Sequence, residues 1–331
     1  VSSNKPLAVF IDVIAILTTV FGVTTSLGLG TVQISAGMAH IFGIEETFTN
    51  KVYIIIFITL LGLTSVSLGL NAGIKKLSQL NMIIATGLLL LVFILGPTIF
   101  IVNALVQNFG AYLNTIIQSA TWTEVYDPSS WQNGWTLFYF TWWFSWAPFV
   151  SLFIARISYG RTVKEFIVGV LFVPSLIVFL WMGVFGNAAI YQVISNTSDI
   201  SQVVANNLPV ALFTLYDVYP FAKALSIVSL ILIITFFVTS SDSGALVASM
   251  LSSKDQSDIN DDSPMISRVT WAVLLGIVAA VLLYAGGLTA LQTSVVITGV
   301  PFAIIMVFAC KNLLKGLRES DDSPPRHINT D

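Results

Sequence analysis

The amino-acid sequence predicts an all-α, polytopic membrane protein with eight transmembrane helices. Of its 331 residues, 56% are hydrophobic and only 9% are charged, and the mean hydropathy is +0.88. These values lie far outside the range of soluble globular proteins. The apolar residues also gather into long runs, and about 20 residues of helix are enough to cross the ~30 Å hydrocarbon core of a bilayer.

Eight apolar runs follow one another along the chain, and each predicts one membrane-spanning helix. They cover approximately residues 7–31, 52–71, 81–103, 135–155, 166–190, 220–250, 269–287 and 292–310. If the N-terminal end is cytoplasmic, all 14 lysines and arginines except Lys51 and Lys223 fall on the cytoplasmic side. Because cytoplasmic loops are enriched in basic residues, we expect both ends of this chain in the cytoplasm.

Residues 105–133 predict an amphipathic helix on the outer surface, followed by a loop. Apolar side chains recur there at intervals of three and four, beginning with Leu105 and Phe109, with asparagine and glutamine between them. The loop carries Glu124 and Asp127. These carboxylates either attract a cationic substrate weakly at low salt or form an ordinary solvated surface.

The fourth apolar run contains four of the chain's eight tryptophans, in the segment GWTLFYFTWWFSWAPFVSLFIARISYG. Trp142, Trp143 and Trp146 lie roughly 10 to 17 Å into the helix at ~1.5 Å per residue, too deep for the interfacial aromatic belt. Spacings of three and four residues place Trp143 and Trp142 on the helix face of Trp146. Ala147 and Pro148 follow at once and are expected to break the helix there.

Two interpretations of these indoles remain open from the residues alone. They either fill space between helices or line a pocket at the middle of the bilayer. Indole faces attract cations that cannot donate hydrogen bonds, and quaternary ammonium groups are the usual ligands of such aromatic cages. A ring cluster beside a weakened helix favours the pocket.

The same segment resembles the betaine/carnitine/choline transporter family. The matching residues are Gly134, Trp135, Thr136, Leu137, Tyr139, Trp142 and Trp143. The likeness continues through SWAPFVSLFIARISYGRTVKEF, FFVTSSDSGALV and GLTALQTSVVITGVPF, and it is strongest to choline and glycine betaine transporters. The main departure is Phe140, where the family more often has tryptophan.

The resemblance implies a transporter fold of two inverted repeats, each of five helices, preceded by two peripheral helices. The chain would begin at the family's fifth helix and lack the first four spans, so it is not expected to transport alone. Residues 1–104 would be the last three helices of the first repeat and 105–133 the extracellular amphipathic helix and loop. Residues 134–312 would be the second repeat and 313–331 a cytoplasmic tail.

The resemblance also implies a binding site for substrate and sites for a coupling ion. Trp142, Trp143, Trp146 and Tyr139 would hold a trimethylammonium group. The main sodium site would use Thr239, Ser240 and the carbonyl oxygen of Phe236, and a second site would use Thr19 and Phe149. Position 23 of that second site is Val23, which has no side-chain oxygen.

The residues themselves support a polar site in the sixth run. The segment from Thr239 to Gly244 carries consecutive hydroxyls and a carboxylate, which are costly against lipid and must face protein or water. Sodium needs oxygen ligands, which these hydroxyls and the backbone carbonyls of an unwound helix would supply, so we expect a break in the sixth span. Local capping of the helix by its own hydroxyls is the alternative. Family members driven by protons keep a similar run, so the coupling ion is either Na⁺ or H⁺.

Asp242 is the deepest carboxylate in the predicted spans. A buried carboxylate needs a basic partner or a proton. Arg156 is the predicted partner, in a salt bridge that closes a cytoplasmic gate, because both residues lie towards the inner ends of their spans.

The sequence excludes several other classes of protein. It has no catalytic motif of a metalloprotease, a P-loop enzyme or a serine hydrolase, and no basic run that would bind nucleic acid. Its one cysteine, Cys310, allows no intrachain disulfide bond. A non-transporting receptor or a channel remains the alternative class, and a carnitine-type exchanger is the alternative within transporters.

The sequence therefore predicts a non-enzymatic importer of choline or glycine betaine in the cytoplasmic membrane. We expect cation symport by alternating access, serving osmoprotection, with no cofactor beyond the coupling ion. The lipid bilayer and a small quaternary ammonium compound are the expected partners, and the resemblance adds a homotrimer.

Overall fold

The computed structural model describes residues 5–68, 75–126, 129–253 and 263–321, and these are helical with no strand among them. The predicted all-α class is therefore confirmed. The helices are α1 (Lys5–Phe42), α2 (Phe48–Leu68), α3 (Lys75–Leu95), α4 (Thr98–Thr121), α5 (Phe138–Ile157), α6 (Val163–Ile194), α7 (Ile200–Asn206), α8 (Ala211–Tyr216), α9 (Ala222–Ser252) and α10 (Met265–Asp321).

Helix α1 is the central element, because it packs against α2, α5, α9 and α10. Its 38 residues span about 57 Å at 1.5 Å per residue, longer than the bilayer core. The predicted end at residue 31 is wrong, because the helix continues through Gly37 to Phe42, and Gly43, with φ 69°, closes it. At Gly22, Gly28 and Gly30, a side-chain carbon would overlap neighbouring helices, so these positions bring α1 close to α5, α10 and α9.

The third predicted span, 81–103, is wrong at its C-terminal end. Helix α3 ends at Leu95 and α4 begins at Thr98. Pro97 lies between them and has no N–H for a continuing helix, while the Thr98 hydroxyl donates to the Phe93 carbonyl at 2.7 Å. Helix α4 is longer than the predicted amphipathic helix and leaves most of its surface exposed.

The expected breaks at Pro148 and in the sixth span are also wrong, because α5 and α9 are continuous. The irregular part of the tryptophan segment lies earlier, in a π-helical turn at Gln132–Leu137. In α9, hydroxyls donate to carbonyls one turn back, which lets polar residues remain helical. Thr235, for example, donates to the carbonyls of Ile231 and Leu232, both at 3.0 Å.

Helix α10 contains the last two predicted spans, which meet at Gly287. This glycine has φ 59° and ψ −136°, so the chain turns sharply there. Beyond it, α10 continues to Asp321. The first part of the predicted tail, 313–321, is therefore helical, and its remainder, 322–331, lies outside the described residues.

Gly287→Ala is expected to destabilise the protein by about 1–3 kcal/mol, because residues with a side chain rarely adopt this conformation. An added carbon at Gly287 would meet no atom within 4 Å, so the cost is backbone strain alone. Gly316→Ala is the matched control, because Gly316 also has open space around it but ordinary helical geometry. Thermal unfolding of the purified protein checks the prediction, and equal melting temperatures for the two variants would contradict it.

Seven helices in the described residues are long and apolar enough to cross a membrane, namely α1, α2, α3, α4, α6, α9 and α10. The last two of the eight predicted spans are joined in α10, and the set differs from the prediction in two further helices. It includes α4, which the sequence assigned to the outer surface, and it omits α5. Tryptophan, tyrosine and proline lower the hydropathy of α5, whose 20 residues are still about 30 Å long.

Candidate substrate and cation sites

Trp142 lies where α5 crosses α1. Its indole Nε1 donates to the Ser26 hydroxyl at 3.1 Å and is 3.4 Å from the Gly22 carbonyl oxygen. The Ser26 hydroxyl in turn donates to that carbonyl at 3.0 Å. One face of the ring stacks on Phe138, with centroids 5.4 Å apart and 14° between the planes. These contacts fix the orientation of the indole.

Ser26 is a site residue that the sequence reasoning missed. The sequence shows only a run of hydroxyl side chains in α1, which an isolated helix would satisfy internally. The feature that singles out Ser26 is the close approach of the helices. A carbon added at Gly22 would lie 2.3 Å from the Ser145 hydroxyl oxygen, so α1 and α5 are in contact at this point.

Trp146 lies one turn further along α5 and packs edge-on against Phe149, with ring centroids 5.6 Å apart. Its Nε1 is buried and has no hydrogen-bond partner within the part of the chain that the structure describes. A buried N–H without an acceptor is costly. The Trp146 indole therefore presents a donor that a ligand oxygen could use.

Trp143 faces a different part of the structure. It is 66% exposed and lines a cavity of about 650 Å³ between α4 and α6, together with Tyr112 and Phe179. Trp142, in contrast, turns to α1, where its Nε1 donates to the Ser26 hydroxyl. The prediction that all three indoles lie on one face is therefore wrong. The role of Trp143 in substrate binding stays a prediction.

Tyr139 connects Trp142 to the beginning of α5. Its ring lies edge-on to Trp142 at 5.8 Å and stacks on Trp135 at 5.7 Å with 9° between the planes. The side chain is half exposed. Of the four predicted substrate-binding residues, Tyr139 and Trp142 therefore contact each other directly.

The predicted main sodium ligands lie together on α9. The Thr239 and Ser240 hydroxyls both donate to the Phe236 carbonyl, at 2.8 and 2.9 Å. The three predicted oxygens thus converge, with both hydroxyl protons directed at the carbonyl. This is the local capping arrangement, and a bound cation would require both hydroxyls to turn. The sodium role stays a prediction.

The predicted second cation site lies between α1 and α5. Ser26 contacts Trp142 and Gly22 contacts Ser145, and from the continuation of this antiparallel crossing we expect Thr19 near Phe149. The Thr19 hydroxyl is buried without a partner in the described residues. Val23 is also buried, and its methyl carbons contact Gly244. Position 23 therefore presents a hydrocarbon side chain to α9. The second cation site at Thr19 and Phe149 stays a prediction.

Asp242 is fully buried on α9. Its Oδ1 accepts a hydrogen bond from the Ser243 hydroxyl at 3.1 Å, and its Oδ2 has no partner among the described residues. The Arg156 side chain lies outside the described residues, as does Asp127. The predicted gate pair of Asp242 with Arg156 stays a prediction.

Comparison with known proteins gives the family. The model of the betaine/carnitine/choline family transporters matches residues 2–322. The chain belongs to this family. That membership confirms the family resemblance, the multi-pass membrane class and the prediction that the chain is not an enzyme.

Curated relatives in the betaine/carnitine/choline transporter family match nearly the whole chain. A glycine betaine transporter of Acinetobacter baylyi is 40% identical over 95% of this chain and 47% of its own length. A glycine betaine/proline/choline/ectoine transporter of Vibrio parahaemolyticus is 41% identical over 93% of this chain and 54% of its own length. A glycine betaine transporter of Bacillus subtilis is 39% identical over 95% and 60%. The chain thus spans about half the length of these relatives.

Proposed function

We propose that this chain is part of a secondary transporter that imports a quaternary ammonium compound, glycine betaine or choline. The observation that carries the proposal is the oriented Trp142 indole at the crossing of α1 and α5. One turn away lies the Trp146 N–H, which has no partner among the residues that the structure describes. The names of the related transporters from three bacteria support the same substrate class.

The chemistry of the substrate fits these two indoles. A trimethylammonium group donates no hydrogen bond, and indole faces attract it by about 0.5–2 kcal/mol per ring. The other end of the substrate is a hydroxyl in choline and a carboxylate in glycine betaine. Either group could accept the hydrogen bond that the buried Trp146 N–H offers, and a charged acceptor would gain more than a neutral one.

The coupling ion in this proposal binds beside Phe236, Thr239 and Ser240. Oxygen ligands suit sodium, and α9 packs directly against α1, the helix that holds Trp142. An ion on α9 could therefore bias the position of α1 and α5, as alternating access requires. The proposal extends to import across the cytoplasmic membrane for osmoprotection, with both chain ends cytoplasmic, and to a homotrimer.

Uptake measurements test the proposal. The full-length protein that contains this chain would be expressed in cells without their own betaine and choline uptake. We expect labelled glycine betaine or choline to enter with sodium outside and not with potassium in its place. Uptake that needs only the proton gradient would replace sodium by protons, and binding of either compound without uptake would favour a receptor.

A further inference from the structure

A narrow groove of about 290 Å³ runs between α2 and the first part of α10. Its α2 wall includes Ile56 and Leu60, and its α10 wall includes Val273 and Ile277. These four side chains are between 40% and 57% exposed, so the groove is open on one side. The rest of the lining is also hydrocarbon, apart from Thr59. Both helices are long and apolar enough to cross a membrane, so the open side faces lipid chains.

The floor of the groove is a close contact between the two helices. A side-chain carbon added at Gly276 would lie 2.7 Å from the Thr59 hydroxyl oxygen, so the absence of a side chain there brings α10 onto α2. Gly276 is therefore occupied by packing within this chain. A further helix, about 10 Å across, would rest on the walls of such a groove without filling it, whereas a single hydrocarbon chain is narrow enough to enter.

The length of the groove fits one leaflet of a bilayer. From Val52 to Leu63 it extends about 16 Å along α2, and half of the ~30 Å hydrocarbon core is about 15 Å. One turn beyond Val52, the rings of Phe48 and Tyr284 lie 5.3 Å apart and join the beginning of α2 to α10. Aromatic side chains are favoured at the membrane–water interface, so this pair indicates where the hydrocarbon layer ends.

A positive charge lies at the same end of the groove. Lys51 is one turn before Ile55, a lining residue of α2, and so shares its face of the helix. Within the part of the chain that the structure describes, Lys51 forms no ion pair with a carboxylate. Glu45 and Glu46 are the nearest carboxylates in sequence and precede the helix. The N-terminal end of α2 is itself positive, so this end of the groove favours a negative group.

We propose that the groove between α2 and α10 binds an anionic phospholipid. One acyl chain lies along Ile56, Leu60 and Ile277, and the Lys51 ammonium group contacts the phosphate. A zwitterionic lipid carries its own cation beside the phosphate and gains less from the lysine. The lipid site does not depend on which compound is transported. A protein segment outside this chain is the alternative occupant, and the experiments distinguish the two.

Native mass spectrometry of the purified full-length protein tests the headgroup. Phosphatidylglycerol is compared with phosphatidylcholine of identical acyl chains, and we expect phosphatidylglycerol to be retained more strongly. Lys51→Ala should weaken phosphatidylglycerol binding about fivefold, the contribution of one lysine near the membrane surface. Lys223→Ala is the matched control, because Lys223 is the other basic residue predicted on that side of the membrane. Equal retention of the two lipids, or equal loss in both lysine variants, would overturn the proposal.

Filling the groove tests the acyl chain. Ala280 is a half-buried lining residue, and Ala280→Leu should weaken the retention of both lipids by occupying their space. Ala104→Leu, at a half-buried position of α4 away from the groove, is the control. Wild-type retention in an Ala280→Leu protein that melts normally would place the acyl chain elsewhere and reject the site.

Photolabelling locates the lipid without any substitution. Phosphatidylglycerol with a photoreactive diazirine in one acyl chain is added to the full-length protein in a bilayer, and the crosslinked peptides are identified. Labelling should concentrate on residues 52–63 and 273–280. Even labelling of all apolar faces would show ordinary lipid contact, and an unlabelled groove would show that another protein segment covers it. Either result overturns the proposal. Uptake is not part of this readout, so the lipid site and the proposed function fail independently.

Discussion

Trp146→Leu is expected to reduce uptake of glycine betaine or choline at least tenfold while leaving the protein in the membrane. The substitution removes an indole face, worth about 0.5–2 kcal/mol to a methylated cation. It also removes the buried N–H that has no partner in the described residues and that we assign to the substrate oxygen. Transport rates over a range of substrate concentrations check the prediction, and the KM should rise.

Trp181→Leu is the matched control for this experiment. Trp181 packs in a different part of the protein, against Phe185 with centroids 4.6 Å apart, so its loss tests general destabilisation. A second variant, Trp146→Phe, keeps a ring beside Phe149 but loses the N–H. If Trp181→Leu lowers uptake as much as Trp146→Leu at equal amounts of protein, the indole has no particular role in binding.

The sequence predicts the helices well because their cause is local. Long apolar runs identify the membrane segments, and the Gly286–Gly287 pair falls where the last two runs meet. Chain breaks are predicted less well. Pro97 separates α3 from α4, whereas Pro148 lies inside the continuous helix α5. The residue type alone therefore does not predict a break. The difference arises from tertiary packing, which single-residue preferences do not contain.

The candidate site is predicted only in part, because tertiary packing decides which helix each side chain contacts. Helical spacing places Trp142 and Trp146 one turn apart on α5, but it cannot show that Trp142 turns to α1 and Trp143 to α6. That choice depends on the close contact of Gly22 with Ser145, which joins residues more than a hundred positions apart. The hydroxyls of α9 likewise suggested an opened helix, whereas their bonds to Phe236 keep it closed.

Removing one hydroxyl from α9 is expected to weaken sodium activation of uptake without unfolding the helix. In Ser240→Ala, the Phe236 carbonyl keeps its bond from Thr239, so the structural loss is about 0.5–1.5 kcal/mol. An interaction with a charged ion is worth more, about 1.5–3 kcal/mol, which corresponds to roughly 10- to 100-fold in affinity. The sodium concentration for half-maximal uptake should rise by that factor, with a near-normal rate at saturating sodium.

Thr235→Val distinguishes ion binding from helix capping. Thr235 lies one turn before Thr239 on α9 and bonds to backbone carbonyls in the same way, but the proposed ion site does not include it. Sodium activation should therefore stay normal in Thr235→Val and change in Ser240→Ala and Thr239→Val. If all three variants behave alike, the hydroxyls serve the helix only. If sodium has no effect on any of them while the proton gradient does, the coupling ion is a proton.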